Sequence, residues 1–207
     1  MAITTGAIRL AERHLSRDAI MAKLVQKHGP CTLGRKRRDP FHTLCVSIIS
    51  QQLSSKAADT IASRVEALIG SSGRMTHKHF KAVTIEQLRG CGLSNSKAKW
   101  LTSIADAART GDLSFSKIAK MTDAEAIKTL DALPGIGQWT AEMFLIFALN
   151  RPDIFSMGDV GLRRAVNTLY NGGRKLSDRR THELAERWSP YRSVACWYLW
   201  RSSDAPD

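Results

Sequence analysis

The segment LPGIGQWTAEM, residues 133–143, places one proline and two glycines directly before an apolar stretch. Gly and Pro destabilise a helix interior by roughly 1 and 3 kcal/mol, so PGIG predicts a short connection between two helices. Gly135 and Gly137 have no side chains, which allows the backbone to approach a ligand closely. The second helix would begin with unpaired amides and a positive dipole end, so this connection can bind an anion. The alternative is an ordinary helical hairpin in which glycine permits tight packing.

A single aspartate, Asp159, lies downstream in the segment FSMGDVGLRRAV. The residues that follow it have helical spacing, so Asp159 is predicted to be an N-cap that accepts first-turn amides. A capping carboxylate is held in a fixed geometry, and electrostatic catalysis requires fixed geometry. Asp159 is therefore a candidate for a structural cap, for a catalytic group, or for both.

The composition favours a polyanionic partner. The chain has 207 residues, with 31 Lys and Arg against 19 Asp and Glu, and a formal net charge of +12. Such an excess most often indicates a nucleic-acid partner, and then the anion at PGIG would be a backbone phosphate. The alternative is a basic protein whose charge serves only solubility or association with ribosomes.

The four cysteines, at positions 31, 45, 91 and 196, form no CxxC pair, which argues against a local zinc or iron–sulfur motif. Cys45 and Cys196 lie in apolar runs and are predicted to be buried thiols of a reduced, intracellular chain. The N-terminus lacks the apolar core of a signal peptide, and no apolar run approaches the length of a membrane span.

Helical spacing extends along nearly the whole chain, and no segment alternates as a strand would. The predicted helical segments are residues 6–29, 41–70 with a break near Gln51–Ser55, 84–111 with a turn before the N-cap Ser94, 122–133 with a Thr122–Glu125 capping box, 138–149, and 181–203 with a break near Pro190.

These segments resemble the HhH-GPD superfamily of DNA glycosylases. LPGIGQWTAEM is similar to its helix-hairpin-helix, and Asp159 in SMGDVGLRR falls where the family has its catalytic aspartate. SIISQQLSSKAADTIASRV, GLSNSKAKWLTSIADA and WSPYRSVACWYLW resemble further family segments, so the resemblance covers about residues 40 to 200 in the expected order. The branch that it resembles most is the alkylation-repair DNA-3-methyladenine glycosylase II group.

The resemblance implies an all-α fold with two lobes and an active-site cleft between them. One lobe would be a six-helix barrel, residues 43–153, which contains the helix-hairpin-helix at about 122–149. The other would combine residues 1–42 with residues 154–207.

The resemblance also implies that Asp159 is the catalytic carboxylate. It would stabilise the positive charge that develops on the sugar as an N-glycosidic bond breaks, and would orient or deprotonate water. Family members that also cut the strand have a Schiff-base lysine where this chain has Trp139. No lysine occurs between residues 129 and 174, which implies a monofunctional hydrolase. No cofactor is expected for catalysis.

Trp139 and Trp200 match positions that line the base pocket in the alkylation-repair branch. An indole face attracts a cationic alkylated purine by stacking and cation–π interaction, worth roughly 0.5–2 kcal/mol. Met143 would share the face of Trp139, and Phe41 and His42 would close the pocket. Relatives often have an aromatic residue at position 143 and an acidic one at position 42. The alternatives are core aromatics for the tryptophans and a surface histidine for His42.

By the same resemblance, Gln52 is the wedge that fills the gap left by a flipped nucleotide, with Leu53 beside it. Gln51 is the rival wedge, and a solvated turn is the alternative to both. The residues implied in binding the DNA backbone are Gly135, Ile136, Gly137, Thr140 and Arg163.

The resemblance also implies that the hairpin can hold a structural Na⁺ or K⁺ ion through the backbone carbonyls of Asp131, Leu133 and Ile136. Further basic residues either bind phosphates or form an ordinary solvated face, namely Arg35, Lys36, Arg37, Arg38 and Arg164.

The expected function is therefore monofunctional base-excision repair, in which 3-methyladenine and 7-methylguanine type bases are excised from duplex DNA to leave an abasic site. The expected partner is duplex DNA containing alkylated bases. The chain is expected to be monomeric, without a membrane partner, and intracellular at the DNA, in a bacterial cytoplasm or a nucleus. The alternatives are a glycosylase of this fold for uracil or oxidised bases, and a non-enzymatic DNA-binding protein in which Asp159 only caps a helix.

Overall fold

The computed structural model describes residues 3, 5–35, 39–71 and 73–204, and no β-strand occurs within these ranges. The predicted all-α class is confirmed. In chain order the α-helices are α1 Thr5–Leu15, α2 Ala19–His28, α3 Pro40–Ser50, α4 Ser55–Leu68, α5 Ile85–Gly90, α6 Asn95–Thr110, α7 Phe115–Ile118, α8 Asp123–Asp131, α9 Gln138–Phe147, α10 Val160–Asn171, α11 Asp178–Glu186 and α12 Arg192–Asp204. A 3₁₀ helix, His77–Phe80, lies between α4 and α5.

Most predicted helix boundaries are confirmed, because the side chains that cap the helices are visible in the sequence. The Ser94 hydroxyl accepts the amide of Lys97 at the start of α6. Thr122 and Glu125 form the predicted reciprocal capping box of α8. The predicted break between residues 51 and 55 separates α3 from α4.

The helical segment predicted over residues 6–29 is divided in two at Asp18. The Asp18 carboxylate accepts the amides of Ile20 and Met21 and caps α2. The two four-residue elements, the 3₁₀ helix and α7, are also absent from the prediction, because so short a stretch carries no periodicity.

Two compact units make up the chain. The first unit comprises Met1–Arg37 and Leu145–Asp207, and the second unit comprises Arg38–Phe144. The lobe limits expected from the sequence stay a prediction.

In the first unit, α12 packs against α1, α2 and α10. The Tyr198 hydroxyl of α12 contacts Oε1 of Glu12 and the carbonyl of Gly29, both at 2.9 Å, and burial raises the pKa of this phenol. At the start of α12, the Arg192 guanidinium donates to both carboxylate oxygens of Asp153, at 2.9 and 3.0 Å. These contacts fix α12, and with it Trp200, relative to its neighbours within the unit.

In the second unit, α3 packs against α4 and α6, and α6 packs against α5 and the 3₁₀ helix. Leu44 and Ile48 of α3 are fully buried, as are Leu101 and Ile104 of α6. This core fixes the loop that joins α3 to α4.

All four cysteines are free and buried, as predicted for Cys45 and Cys196. Loss of hydration disfavours a thiolate, and burial raises the pKa of Cys31 to about 12. Burial also raises the pKa of Cys45 and of Cys91 above the usual thiol value. Within the described residues, no helix is both long and apolar enough to span a membrane.

Candidate active site and DNA-binding hairpin

The predicted helix-hairpin-helix consists of α8, a turn over residues 132–137, and α9. The turn is closed by backbone bonds from the Leu133 amide to the Leu130 carbonyl and from the Ile136 amide to the Leu133 carbonyl. The side chain of Ile136 is buried and anchors the turn to the core of the second unit. The buried Ile136 and these backbone bonds therefore help to set the position of the hairpin turn.

The two glycines of this hairpin turn differ in whether the fold requires a residue without a side chain. Gly135 has a φ of +81°, and a Cβ added there would collide with the indole ring of Trp100. Gly137 is exposed, has no positive φ, and a Cβ added there would meet no atom within 4 Å. The fold therefore requires glycine at 135, whereas nothing in the folded chain requires it at 137.

The α3–α4 loop, residues 51–54, is linked to the hairpin by Gln51. Its Nε2 donates to the Gly135 carbonyl at 2.8 Å and lies 3.3 Å from Oγ1 of Thr140. Gln52 has a φ of +58°, which is uncommon for a non-glycine residue, and Leu53 is 39% exposed. The Gln51 side chain is thus engaged with the hairpin, while the next two residues continue the loop.

Trp139 and Met143 both lie on α9 but differ in accessibility. Trp139 is 42% exposed, which is unusual for so large an apolar side chain, and Met143 is buried. Of these two predicted pocket residues, Trp139 is the one whose side chain is accessible to solvent.

Phe41 and His42 lie in the first turn of α3. The Phe41 ring is buried and makes edge contacts with His77, Phe80 and Phe115. Nδ1 of His42 accepts the amide of Met75 at 3.2 Å, so this imidazole supports the segment that leads to the 3₁₀ helix. Their predicted role in a base pocket stays a prediction.

Asp159 is the N-cap of α10, as predicted. Its Oδ1 accepts the Leu162 amide at 2.7 Å and the indole Nε1–H of Trp200 at 3.2 Å. The Trp200 ring stacks on Phe147, with centroids 5.7 Å apart and planes inclined by 30°. The structure thus brings together two of the predicted site residues, Asp159 and Trp200, within the first unit. Asp159 is buried, yet the next residue, Val160, is 72% exposed.

Arg163, a predicted backbone-binding residue, lies one turn into α10. Its guanidinium forms an ion pair with Asp178 at 2.7 Å, and its side chain is 18% exposed. A phosphate would have to compete with this carboxylate. Of the predicted basic cluster, Arg35 is exposed, and Lys36, Arg37 and Arg38 lie outside the described residues.

A metal centre built from side chains is not found in the described part of the chain, which holds no group of three or more His, Cys, Asp or Glu residues placed to share an ion. The predicted monovalent ion would use backbone carbonyls instead. The Leu133 carbonyl already accepts the Ile136 amide at 3.1 Å, which leaves its second lone pair for a cation. The ion site at these three carbonyls stays a prediction.

Two further residues of the second unit were not singled out in the sequence. Nζ of Lys97 donates to the carbonyls of Ile49 and Gln51, at 2.9 and 2.6 Å. Trp100, one turn later on α6, fills the space beside Gly135. Both contacts join segments far apart in the chain, so no local pattern in a single sequence could have indicated them.

The model of the HhH-GPD superfamily of base excision DNA repair proteins matches residues 45–190. The chain belongs to this superfamily.

Among its relatives, DNA-3-methyladenine glycosylase 1 of Schizosaccharomyces pombe is 32% identical over 188 residues, which cover 90% of this chain and 82% of the relative. The crystal structure of a DNA-3-methyladenine glycosidase from Bacillus halodurans has a TM-score of 0.81 and 35% identity, covering 93% of this chain and 88% of the other. The Schizosaccharomyces pombe 3-methyladenine DNA glycosylase in complex with abasic DNA has a TM-score of 0.82 and 32% identity, with coverage of 94% and 97%.

Proposed function

We propose that this protein is a monofunctional DNA glycosylase that excises alkylated purines of the 3-methyladenine and 7-methylguanine type from duplex DNA. The observation that carries the proposal is the buried Asp159 carboxylate, held by the Leu162 amide and the Trp200 indole. The names of the relatives, which are 3-methyladenine glycosylases, support the same substrate class.

The proposed reaction is hydrolysis of the bond between the base and C1′ of the sugar. As the bond lengthens, positive charge develops on the sugar, and the Asp159 carboxylate stabilises that charge. The same group orients water or accepts its proton as the new C1′–O bond forms. The free base leaves and an abasic site remains. Two hydrogen bonds to Oδ1 keep the carboxylate in one orientation, which electrostatic stabilisation requires.

We propose that base selection depends on attraction between the damaged base and indole rings. An alkylated purine of this type is cationic, and cation–π contact with a tryptophan contributes roughly 0.5–2 kcal/mol. Trp139 supports this role because its large apolar side chain is 42% exposed. Such a base is already a good leaving group, so strong acid catalysis is not needed.

The absence of strand cleavage is proposed from the sequence at the hairpin. A lyase needs an amine to form a Schiff base with the sugar, and position 139 is Trp. No lysine occurs between residues 129 and 174. Hydrolysis by water is then the chemistry that these residues support.

DNA binding is proposed to depend on the hairpin turn. Gly137 supports a phosphate contact because its exposed Cα leaves room that the fold itself does not use. A Na⁺ or K⁺ ion held by the carbonyls of Asp131, Leu133 and Ile136 would add positive charge beside that phosphate. Thr140 lies in the first turn of α9, directly after the hairpin turn, and is proposed to contribute to backbone binding from there. Its Oγ1 lies 3.3 Å from Nε2 of Gln51.

For the flipped nucleotide, the wedge is proposed to be Gln52, with Leu53 beside it. The rival, Gln51, has its side-chain amide engaged with the hairpin, which supports the assignment to Gln52. The proposed partner is duplex DNA with alkylated bases, bound by a monomer inside the cell.

The test compares wild type, Asp159→Asn and the control Asp59→Asn on methylated duplex DNA. Asn keeps an oxygen that can cap α10 and accept from Trp200, so folding should be retained. We expect wild type and the exposed-site control to release 3-methyladenine and 7-methylguanine, and Asp159→Asn to lose about two orders of magnitude in rate. Melting temperatures measured on all three proteins verify that the fold is intact.

A second arm tests the chemistry and the substrate. The reacted DNA should show strand breaks only after alkali, because a hydrolase leaves an intact abasic strand. Breaks without alkali would contradict the monofunctional assignment. If wild type binds DNA without releasing an alkylated base, the substrate assignment is wrong, and substrates with uracil and oxidised bases would then separate another glycosylase from a non-enzymatic DNA-binding protein.

A further inference from the structure

Three segments of the second unit meet at the side chain of Gln51: the α3–α4 loop, the hairpin turn and α6. From the loop, Nε2 of Gln51 reaches the carbonyl of Gly135 at 2.8 Å. The same nitrogen lies 3.3 Å from Oγ1 of the buried Thr140, in the first turn of α9. One side chain therefore joins the loop to both parts of the hairpin.

Lys97 holds the same loop from the side of α6. Its Nζ donates to the carbonyls of Ile49, in the last turn of α3, and of Gln51, just beyond it. Carbonyls at a helix end lack intrahelical partners and lie at the negative end of the dipole, so an ammonium group is well suited to them. Burial lowers the pKa of this amine, but the two carbonyls accept from its ammonium group.

Trp100 connects α6 to the hairpin turn. It lies one turn after Lys97, and its indole occupies the space beside Gly135 that a Cβ would need. Each pair of the three segments is thus joined: the loop to the hairpin by Gln51, the loop to α6 by Lys97, and α6 to the hairpin by Trp100. Such a closed set of contacts holds all three in one arrangement.

The residue that follows this anchor has an uncommon backbone. Gln52 has a φ of +58°, and a non-glycine residue stays in that region only when its surroundings impose it. The bond from Lys97 to the Gln51 carbonyl fixes the peptide group that Gln51 shares with Gln52. A Leu53 amide bond to the Ser50 carbonyl, at 3.2 Å, holds the other side.

We propose that Lys97 is a positioning residue for base flipping, which acts with Gln51 and Trp100 to fix the α3–α4 loop against the hairpin. This rests on the proposed function, because it assumes that Gln52 enters the duplex while the hairpin binds the backbone. With the two fixed together, binding of the backbone places the wedge at the stack without a separate ordering step. Lys97 itself touches neither base nor sugar in this role.

The experiment compares wild type, Lys97→Met and the matched control Lys99→Met. Methionine keeps the aliphatic stem and removes the ammonium group. Lys99 is an exposed lysine of the same helix, so its variant loses the same charge without the carbonyl contacts. The first measurement uses a duplex in which 2-aminopurine stands beside a tetrahydrofuran abasic analogue, and its fluorescence rises when a wedge unstacks the neighbouring base.

The second measurement is single-turnover release of 7-methylguanine from two duplexes. In one the lesion faces cytosine, and in the other it faces an abasic analogue, so that it is already weakly held and needs less help to flip. We expect Lys97→Met to lose about tenfold or more on the first duplex and less than about threefold on the second, since only flipping is affected. It should also lose most of the fluorescence rise, while Lys99→Met should match wild type.

Two results would overturn the proposal. One is a Lys97→Met protein that matches Lys99→Met in both measurements. The other is an equal loss on the two duplexes, which would indicate a general structural role. Should Lys97→Met fail to fold, Gln51→Glu offers a second variant, because it places a carboxylate opposite the Gly135 carbonyl and should give the same unequal loss. A wild type that unstacks 2-aminopurine but releases no base would refute the proposed function alone, and the fluorescence comparison would still decide the role of Lys97.

Discussion

At the scale of single residues, the hydrogen bond between Trp200 and Asp159 is the most informative contact of the first unit. The Trp200 ring packs by stacking on Phe147, and its N–H group additionally donates to the Asp159 carboxylate. Trp200 can therefore orient the carboxylate whether or not its face also meets a base. The two roles can be separated by a substitution that keeps an aromatic ring and removes the N–H group.

We predict that Trp200→Phe slows base release by about tenfold and lowers the free energy of unfolding by about 1–3 kcal/mol, because one hydrogen bond and part of the ring packing are lost. Phenylalanine keeps an aromatic ring for stacking on Phe147, but that ring is smaller than indole and has no donor for Asp159. Single-turnover kinetics and urea unfolding measure the two quantities. Trp197→Phe, on the same helix, is the control and should retain the wild-type rate. A Trp200→Phe rate equal to wild type would show that the hydrogen bond does not matter for catalysis.

At the scale of elements, the hairpin turn combines one glycine that the fold needs and one that it does not. At Gly135 the backbone is left-handed and the Cβ space holds Trp100. At Gly137 the backbone suits any residue and the space is empty. The same substitution, glycine to alanine, at these two positions therefore separates an effect on stability from an effect on DNA binding.

We predict that Gly135→Ala lowers the free energy of unfolding by about 1–3 kcal/mol, because the φ of +81° and the collision with Trp100 both oppose it. Gly137→Ala should leave stability within about 0.5 kcal/mol of wild type, since surface changes away from special features have small effects. It should nonetheless weaken binding to undamaged duplex DNA, because the new methyl group stands where a phosphate would approach.

Chemical denaturation and fluorescence anisotropy measure these two effects. Unchanged DNA affinity in Gly137→Ala would remove this residue from the proposed interface. Gly135→Ala tests stability only, because a change in its DNA affinity could result from the distorted hairpin turn.

The elements also show how much a single sequence can predict. Caps such as Thr122 with Glu125, and Asp159, were predictable because the capping side chain lies within three residues of the amide that it binds. The interruption at Asp18 was missed although it uses the same chemistry, because the apolar periodicity on both sides hid it.

The contacts of the site were less predictable than its helices. Nothing in the segment SNSKAKWL distinguishes Lys97, which bonds distant carbonyls, from the exposed Lys99. The engagement of Gln51 with Gly135 likewise depends on tertiary packing between segments far apart in the chain. Family resemblance could propose roles for Asp159 and Gln52, but it could not give the contacts that hold them.

At the scale of the whole molecule, the net charge of +12 favours binding to any polyanion. Binding to DNA then depends on which basic side chains can reach a phosphate. Arg163 is engaged with Asp178, whose own side chain is 80% exposed. Water and salt screen so exposed a carboxylate, so a DNA phosphate can compete with it for this arginine.

We predict that Asp178→Asn binds undamaged duplex DNA more tightly than wild type, because it releases Arg163 and removes a negative charge. Arg163→Gln should bind more weakly, and its plot of log affinity against log salt should be shallower by about one, the change expected for one lost phosphate contact. Anisotropy titrations between low and moderate salt give both slopes. Equal slopes for Arg163→Gln and wild type would assign this arginine to the protein alone.

The burial of the cysteines affects how the protein withstands the damage that it is proposed to repair. Reagents that methylate DNA also methylate protein thiols, and the reactive form of a thiol is its thiolate. Cys31, Cys45 and Cys91 are buried with raised pKa values, and Cys196 is fully buried. We predict that a methylating agent at neutral pH leaves all four thiols unmodified in the folded protein, whereas it labels them rapidly in urea, as mass spectrometry would show. Rapid labelling of the folded protein would contradict this. If the four thiols stay unmodified, the fold shields the enzyme from the chemical stress during which it is most needed.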